Sequence, residues 1–236
     1  MQARPLPGAV RAAARFGEPP ARPQRRPPPN VNGAAPPLVY RFECTPGCMP
    51  FPPFLCAGLL RDAIAGACRM VLDAAKKLEA LPMDAATAQL FASIFGQPPS
   101  DPFPGTWNFA SGDLVSCALR RVAKTLRAGN VTYRCDPCIG AREDPSQGTI
   151  LDTHAIAIPA QNVVLLCPSF WRLPGPLRAG VLVHEAFHLR FAPFFRHDAK
   201  ERRQNSAYCY EVFTLTVTGT APEPLAIAKC RSAPVT

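Results

Sequence analysis

The run PLRAGVLVHEAFHLRF, residues 176–191, constrains the fold more than any other stretch of this chain. LPGP at 173–176 opens it and Pro193 stops it, as helix boundaries do. Its apolar residues (Val181, Leu182, Val183, Phe187, Leu189) cover nearly every side, so the helix is predicted to be buried. Yet it carries His184, Glu185 and His188. Three ionisable groups on a buried helix each need a partner, or they cost several kcal/mol of desolvation. Residues four apart stand on one face, one turn above the other. One metal ion can therefore take both imidazoles, and Glu185 can reach a water on that ion. A core helix with two accidental histidines leaves all three groups unpartnered and is the weaker reading.

The predicted chemistry follows from that cluster. Zinc with three protein ligands keeps a fourth position for water and brings the water's pKa toward neutrality. Glu185 is then the general base in peptide hydrolysis, and it hands the proton on to the leaving amine. Tyr208 and Tyr210 are candidate donors to the developing oxyanion, with packing in a helix as the plainer role for either. For the third zinc ligand the residues leave His197, Asp198 and Glu211 open. His154 precedes the motif and is expected to be a solvated loop histidine.

Around this helix the chain reads as α+β. Helical spacing from Cys56 to Leu81 predicts a first helix, and Asp84 to Phe95 a second, capped by Asp84 and stopped by Gly96. A third starts at Ser111 and ends before Gly129. Val131–Cys135, Ala155–Ile158 and Asn162–Cys167 are short, β-rich and bounded by turn residues, so they are predicted strands. YRFECTPGCMPFPPF is read as irregular, and a last helix is placed from Asp198 to Val217. The architecture expected is a zincin-like metallopeptidase domain: a small sheet beside the buried HExxH helix, with helices flanking it. One sheet edge would take an extended substrate by strand addition. Residues 1–37 are rich in Pro, Arg and Ala and are expected to be a disordered leader. The metallopeptidase domain is assigned to 38–236.

Lys and Arg number 26 against 17 Asp and Glu, a formal net charge of +9. The basic residues are spread out and not interleaved with aromatics, so no nucleic-acid partner is expected; the partner is a protein or peptide substrate. No run of about 18 apolar residues exists, so no membrane span is expected. Ten cysteines are many for a reducing compartment and predict several disulfides and a secreted or exported protein, although no standard signal peptide is visible. Cys44, Cys48, Cys135 and Cys138 would also suit a four-thiolate zinc site; disulfides explain them more simply. A competing function is a cysteine-stapled effector or binding protein whose metal site is structural or degenerate.

VTYRCDPC, AIAIP, NVVLLCPSFWRLP and AGVLVHEAFHL, taken in order, resemble the deuterolysin group of metallopeptidases, the aspzincins. The resemblance is nearest to their peptidyl-Lys metalloendopeptidase branch and covers roughly residues 56–217. It implies Asp198 as the third zinc ligand by order and distance, although the family's GTxDxxYG reads RFAPFFRHDAKER here. It also sets QNSAYCYEVF against the family's Asn-Ala-Asp-x-Tyr segment. On that match Asn205, Tyr208 and Tyr210 are the counterparts, with the family's aspartate absent, and Glu211 is the acidic group that would face a substrate lysine; of the tyrosines, Tyr208 is the one expected to be catalytic.

Overall fold

The computed structural model describes residues 40–44, 51–102, 110–137, 153–192 and 202–235. Among the described residues, six α-helices and a four-stranded sheet make a mixed α+β architecture. The first helix, α1, runs Pro53–Glu79, with prolines at its start and Lys76 and Lys77 in its last turn, where cations suit the helix dipole. Its buried face (Leu60, Ile64, Ala67, Val71, Ala74, Leu78) is the floor of the core. Helix α2 is Ala85–Phe95. Asp84 caps it, accepting from the Thr87 backbone N–H at 2.8 Å and its hydroxyl at 2.6 Å. Gly96 ends it at φ 79°, in the left-handed region where a Cβ is disfavoured. Both ends match the sequence expectation. Helix α3, Ser111–Arg127, lies along α1, with Arg120 bridging to Glu79.

The sheet contains β1 (Arg41–Glu43), β2 (Thr132–Cys135), β3 (Ala155–Ile158) and β4 (Val163–Leu166), in the order β1-β2-β4-β3. β1 and β4 run parallel to β2, and β3 pairs antiparallel with β4. The segment around β1 was expected to be irregular; instead it is a sheet edge, in register with β2 from Arg41↔Thr132 to Glu43↔Arg134. Continuing that register one residue brings Cys44 to Cys135, and the two form a disulfide with Cα atoms 4.8 Å apart. This pairing removes the four-thiolate zinc alternative. Cys209–Cys230 is a second disulfide and Cys167 is also disulfide-bonded, whereas Cys56, Cys68 and Cys117 are free thiols.

β3 is the other sheet edge. The Cys167 N–H donates to the His154 carbonyl at 3.0 Å, which makes that pair a hydrogen-bonded one. By the two-residue alternation of an antiparallel ladder, Ala155 and Ala157 then turn their backbone groups away from β4, toward the side that has no strand partner among the described residues.

Helix α4, Gly175–Phe191, carries the HEAFH run and is buried without interruption from Ala179 to His188, as its all-round apolarity predicted. It packs against α1, α3, β3 and the next helix, α5, Ala207–Val217. The single helix expected over Asp198–Val217 is therefore corrected. Among its described residues, 203–205 form one 3-10 turn, Ser206 is extended, and the α-helix begins only at Ala207. Residues 193–201 lie outside the described residues. Nor is α5 the last helix: α6, Pro224–Ser232, follows and is tied back by Cys209–Cys230. Arg203 braces the same corner, donating to the carbonyls of Ala233 (3.1 Å), Arg231 (3.2 Å) and Ser93 (3.4 Å). Among the described residues no helix is long and apolar enough to cross a membrane.

Helices α4 and α5 meet antiparallel through paired positions. Leu215 fills the space over Gly180, Glu211 meets His184, and Tyr210 packs tilted against Phe187 with ring centroids 4.1 Å apart. A Cβ at Gly180 would come within 2.8 Å of Leu215, whose side chain is fully buried. Gly180→Val is therefore expected to force the helices apart and to cost about 1–3 kcal/mol, as overpacked cores do. Urea unfolding of the two proteins measures it; a midpoint unchanged from wild type would show that the close approach is not needed.

Candidate metal centre

His184 and His188 stand one turn apart on α4, and their Nε2 atoms are 3.1 Å apart. Two nitrogens bound tetrahedrally to one zinc at 2.0–2.1 Å would stand about 3.3 Å apart. The pair is thus spaced as two ligands of a single ion. The rings are inclined at 56° with centroids 4.9 Å apart, so the nitrogens converge and the rings do not stack. On the far side of the first ring, His184 Nδ1 lies 3.1 Å from Glu211 Oε2. Both side chains are almost wholly buried, at 7% and 6% exposure, so solvent does not compete for that contact.

Glu185, next in sequence, turns toward the sheet. Its Oε2 accepts from the Ala157 N–H at 2.7 Å, a donor on the outer edge of β3. Tyr208, on the first turn of α5, lies edge-on to His184 with ring centroids 4.4 Å apart. Five side chains from two helices, together with one backbone donor from the sheet edge, therefore meet around His184 and Glu185.

Burial dominates the electrostatics. It pushes the His184 imidazole down to about 3. Burial likewise pushes Glu185 up to about 8, with the Glu211 carboxylate adding to the rise and the Ala157 N–H opposing it. Glu211 is raised to about 8, first by burial and then by Glu223, with His154 opposing. These groups favour their neutral forms unless a cation compensates them.

The residues singled out in the sequence divide as follows. His184, Glu185, His188, Tyr208 and Glu211 come together. Asp198 and His197 lie outside the described residues, and among the described residues no three His, Cys, Asp or Glu side chains are arranged as a complete ligand set. The two imidazoles fit a zinc site as part of such a set. Tyr210 belongs to the core: its hydroxyl donates to the Gln204 carbonyl at 2.9 Å, and its ring packs on Phe95 and Phe187. His154 is not the solvated loop residue expected. It is largely buried, with Nε2 3.1 Å from Glu223 Oε2. The sequence reading missed Glu223 and the Ala157 N–H. The first sits in a short polar loop without periodicity; the second is a backbone group, which no residue type announces.

No protein-family model matches the chain. Over 92 residues it is 37% identical to the Neutral protease 2 homolog MEP3 of Coccidioides posadasii. That stretch is 35% of this chain and 22% of the relative, so the chain spans about a fifth of the length of the curated protein it matches. The likeness is to a protein named as a protease.

The raised Glu185 carboxyl gives a sign that can be checked in metal-free protein. Stability tied to its neutral form is complete below its ordinary value of 4.5 and is lost as pH rises through about 8. Glu185→Gln, neutral at every pH, is expected to gain stability relative to wild type between about pH 5 and about pH 8. Thermal melts of both proteins in chelator at the two pH values measure the difference. A gap that stays constant or shrinks would contradict the buried-carboxyl assignment.

Proposed function

We propose that this chain is a zinc-dependent endopeptidase with a zincin-like domain, in which His184 and His188 hold the metal and Glu185 is the general base. The observation that carries this reading is the 3.1 Å approach of the two Nε2 atoms on a helix whose next residue is a buried glutamate. Asp198 is the third ligand in the proposal, on the order and distance that the aspzincin resemblance implies. The likeness to a neutral protease homologue supports peptide hydrolysis. The disulfides suit an oxidising, extracellular destination.

When bound, zinc would supply the Lewis acidity that lets water lose a proton near neutral pH. Glu185 takes that proton as the oxygen attacks the substrate carbonyl, then carries it to the departing amine. Its burial suits the task, because a carboxyl raised toward neutrality both accepts and returns a proton readily. Tyr208, beside His184, donates its phenol hydrogen to the carbonyl oxygen as charge gathers there. The outer edge of β3 offers the backbone of Ala155 to an extended peptide, aligning it over the helix, while the Ala157 N–H is held by Glu185. A preference for lysine is part of the proposal on the resemblance alone, and cleavage of a peptide library tests it.

Glu185→Gln is expected to fold, to bind zinc with wild-type affinity, and to lose about 10²–10⁴-fold in kcat/KM on a protein substrate. His184→Ala should lose the metal together with the activity. If Glu185→Gln cleaves as fast as wild type, the general-base assignment fails. If wild type takes up no zinc, a cysteine-stapled binding protein becomes the better reading.

A further inference from the structure

We infer that Glu211 is a positioning residue for the metal centre: its carboxylate fixes the His184 ring with Nδ1 as the donor, leaving Nε2 to face His188. This rests on the zinc reading of the two histidines. It assigns Glu211 a role different from substrate recognition and different from direct ligation.

Three observations carry it. First, the contact is on the correct nitrogen. Glu211 Oε2 is 3.1 Å from Nδ1, while Nε2 of the same ring is 3.1 Å from His188 Nε2. The two ring nitrogens point to opposite sides, so an oxygen on Nδ1 faces away from anything shared by the Nε2 pair. Second, the carboxylate is enclosed. Glu211 is 5% exposed and lies on the face of α5 that packs on α4, where a substrate side chain has no free approach. Third, the backbone behind it is held. One turn further along α5, Leu215 fills the gap over Gly180, and two residues before Glu211 the Cys209–Cys230 disulfide ties α5 to α6. Glu211 cannot swing toward the Nε2 side without moving a helix packed on both sides.

The chemistry explains why such a group is needed. A neutral imidazole exists as two tautomers, and only the one protonated at Nδ1 offers Nε2 as a ligand. A carboxylate accepting from Nδ1–H selects that tautomer, sets the ring plane and raises the basicity of Nε2; loss of such partners weakens metal binding by about 10–100-fold.

The test compares full-length wild type, Glu211→Ala, Glu211→Gln and His184→Ala. Zinc affinity is read by competition with a chromophoric chelator, and thermal melts check the fold. Glu211→Ala is expected to bind zinc about 10–100-fold more weakly. Glu211→Gln, whose amide oxygen still accepts from Nδ1, should recover most of the loss. Long-range proton–nitrogen spectra of the metal-free protein, recorded above about pH 8 where Glu211 is a carboxylate, should show His184 protonated at Nδ1 in wild type and a tautomer mixture in Glu211→Ala. Two results would overturn the inference. One is wild-type zinc affinity in Glu211→Ala with only a raised KM for lysine peptides, which marks a substrate-facing group. The other is Glu211→Gln as defective as His184→Ala, which marks a ligand. Because the spectra need no metal, they test the contact even if wild type binds no zinc, an outcome that would sink the peptidase reading alone.

Discussion

A helix apolar on every side can carry two imidazoles and a carboxylate only if each polar atom has a partner inside the protein. Here the partners come from the two elements that sandwich α4. Helix α5 brings Glu211 to the first imidazole, and strand β3 brings the Ala157 N–H to Glu185. The second imidazole meets the first. The packing of α4 between α5 and the sheet edge is thus also the assembly of the site. Whatever shifts one helix by a fraction of an ångström breaks a buried polar contact, and buried polar groups left unpaired cost about 1–3 kcal/mol each.

That dependence gives meaning to features remote from the histidines. Gly180 lies one turn before His184 and lets α5 approach closely enough for Glu211 to reach Nδ1. Phe91, Phe95 and Phe213 pack edge-on and tilted against one another, and Phe95 also meets Tyr210, fixing the rotation of α5 about its axis. Arg203 and the Cys209–Cys230 disulfide hold the ends of α5 and α6 together. A bridge closing a loop of about 20 residues stabilises by roughly 3 kcal/mol in the chain-entropy model, comparable with the penalty for the polar cluster it supports.

Much of this was legible in the sequence, for reasons that can be named. The burial of α4, the shared face of its histidines and both ends of α2 follow from local rules: helical period, a capping aspartate and a stopping glycine. What was not legible depends on contacts between segments far apart. Glu211 stands 27 residues from His184, and nothing in QNSAYCYEVF says which nitrogen its carboxylate will meet. β1 has three residues, too few for alternation to register, and exists because β2 offers it an edge. Helix α5 starts late because residues 203–205 form a 3-10 turn held by Arg203 against α2 and the end of α6, a tertiary contact that local composition does not announce. The cysteine partners needed the sheet register, since ten thiols allow many connectivities and sequence order selects none of them.

The charge balance of the centre adds a last constraint. With Glu185 and Glu211 both raised toward 8 and His184 depressed to about 3, the enclosed groups approach neutral pH mostly uncharged. Proton-carrying acids beside neutral imidazoles are a consistent arrangement only in the absence of positive charge. A divalent ion placed on the Nε2 pair reverses the preference. It stabilises the ionised form of both carboxylates, and so strengthens the hydrogen bond from His184 Nδ1 to Glu211 and prepares Glu185 to accept a proton. On the proposed metal reading, binding of the cation and arming of the base would be one electrostatic event, transmitted over a few ångströms through a single imidazole ring and across one turn of helix. An apolar replacement for Glu211 would cut the first of these links while leaving the second intact, which is why the two roles separate experimentally.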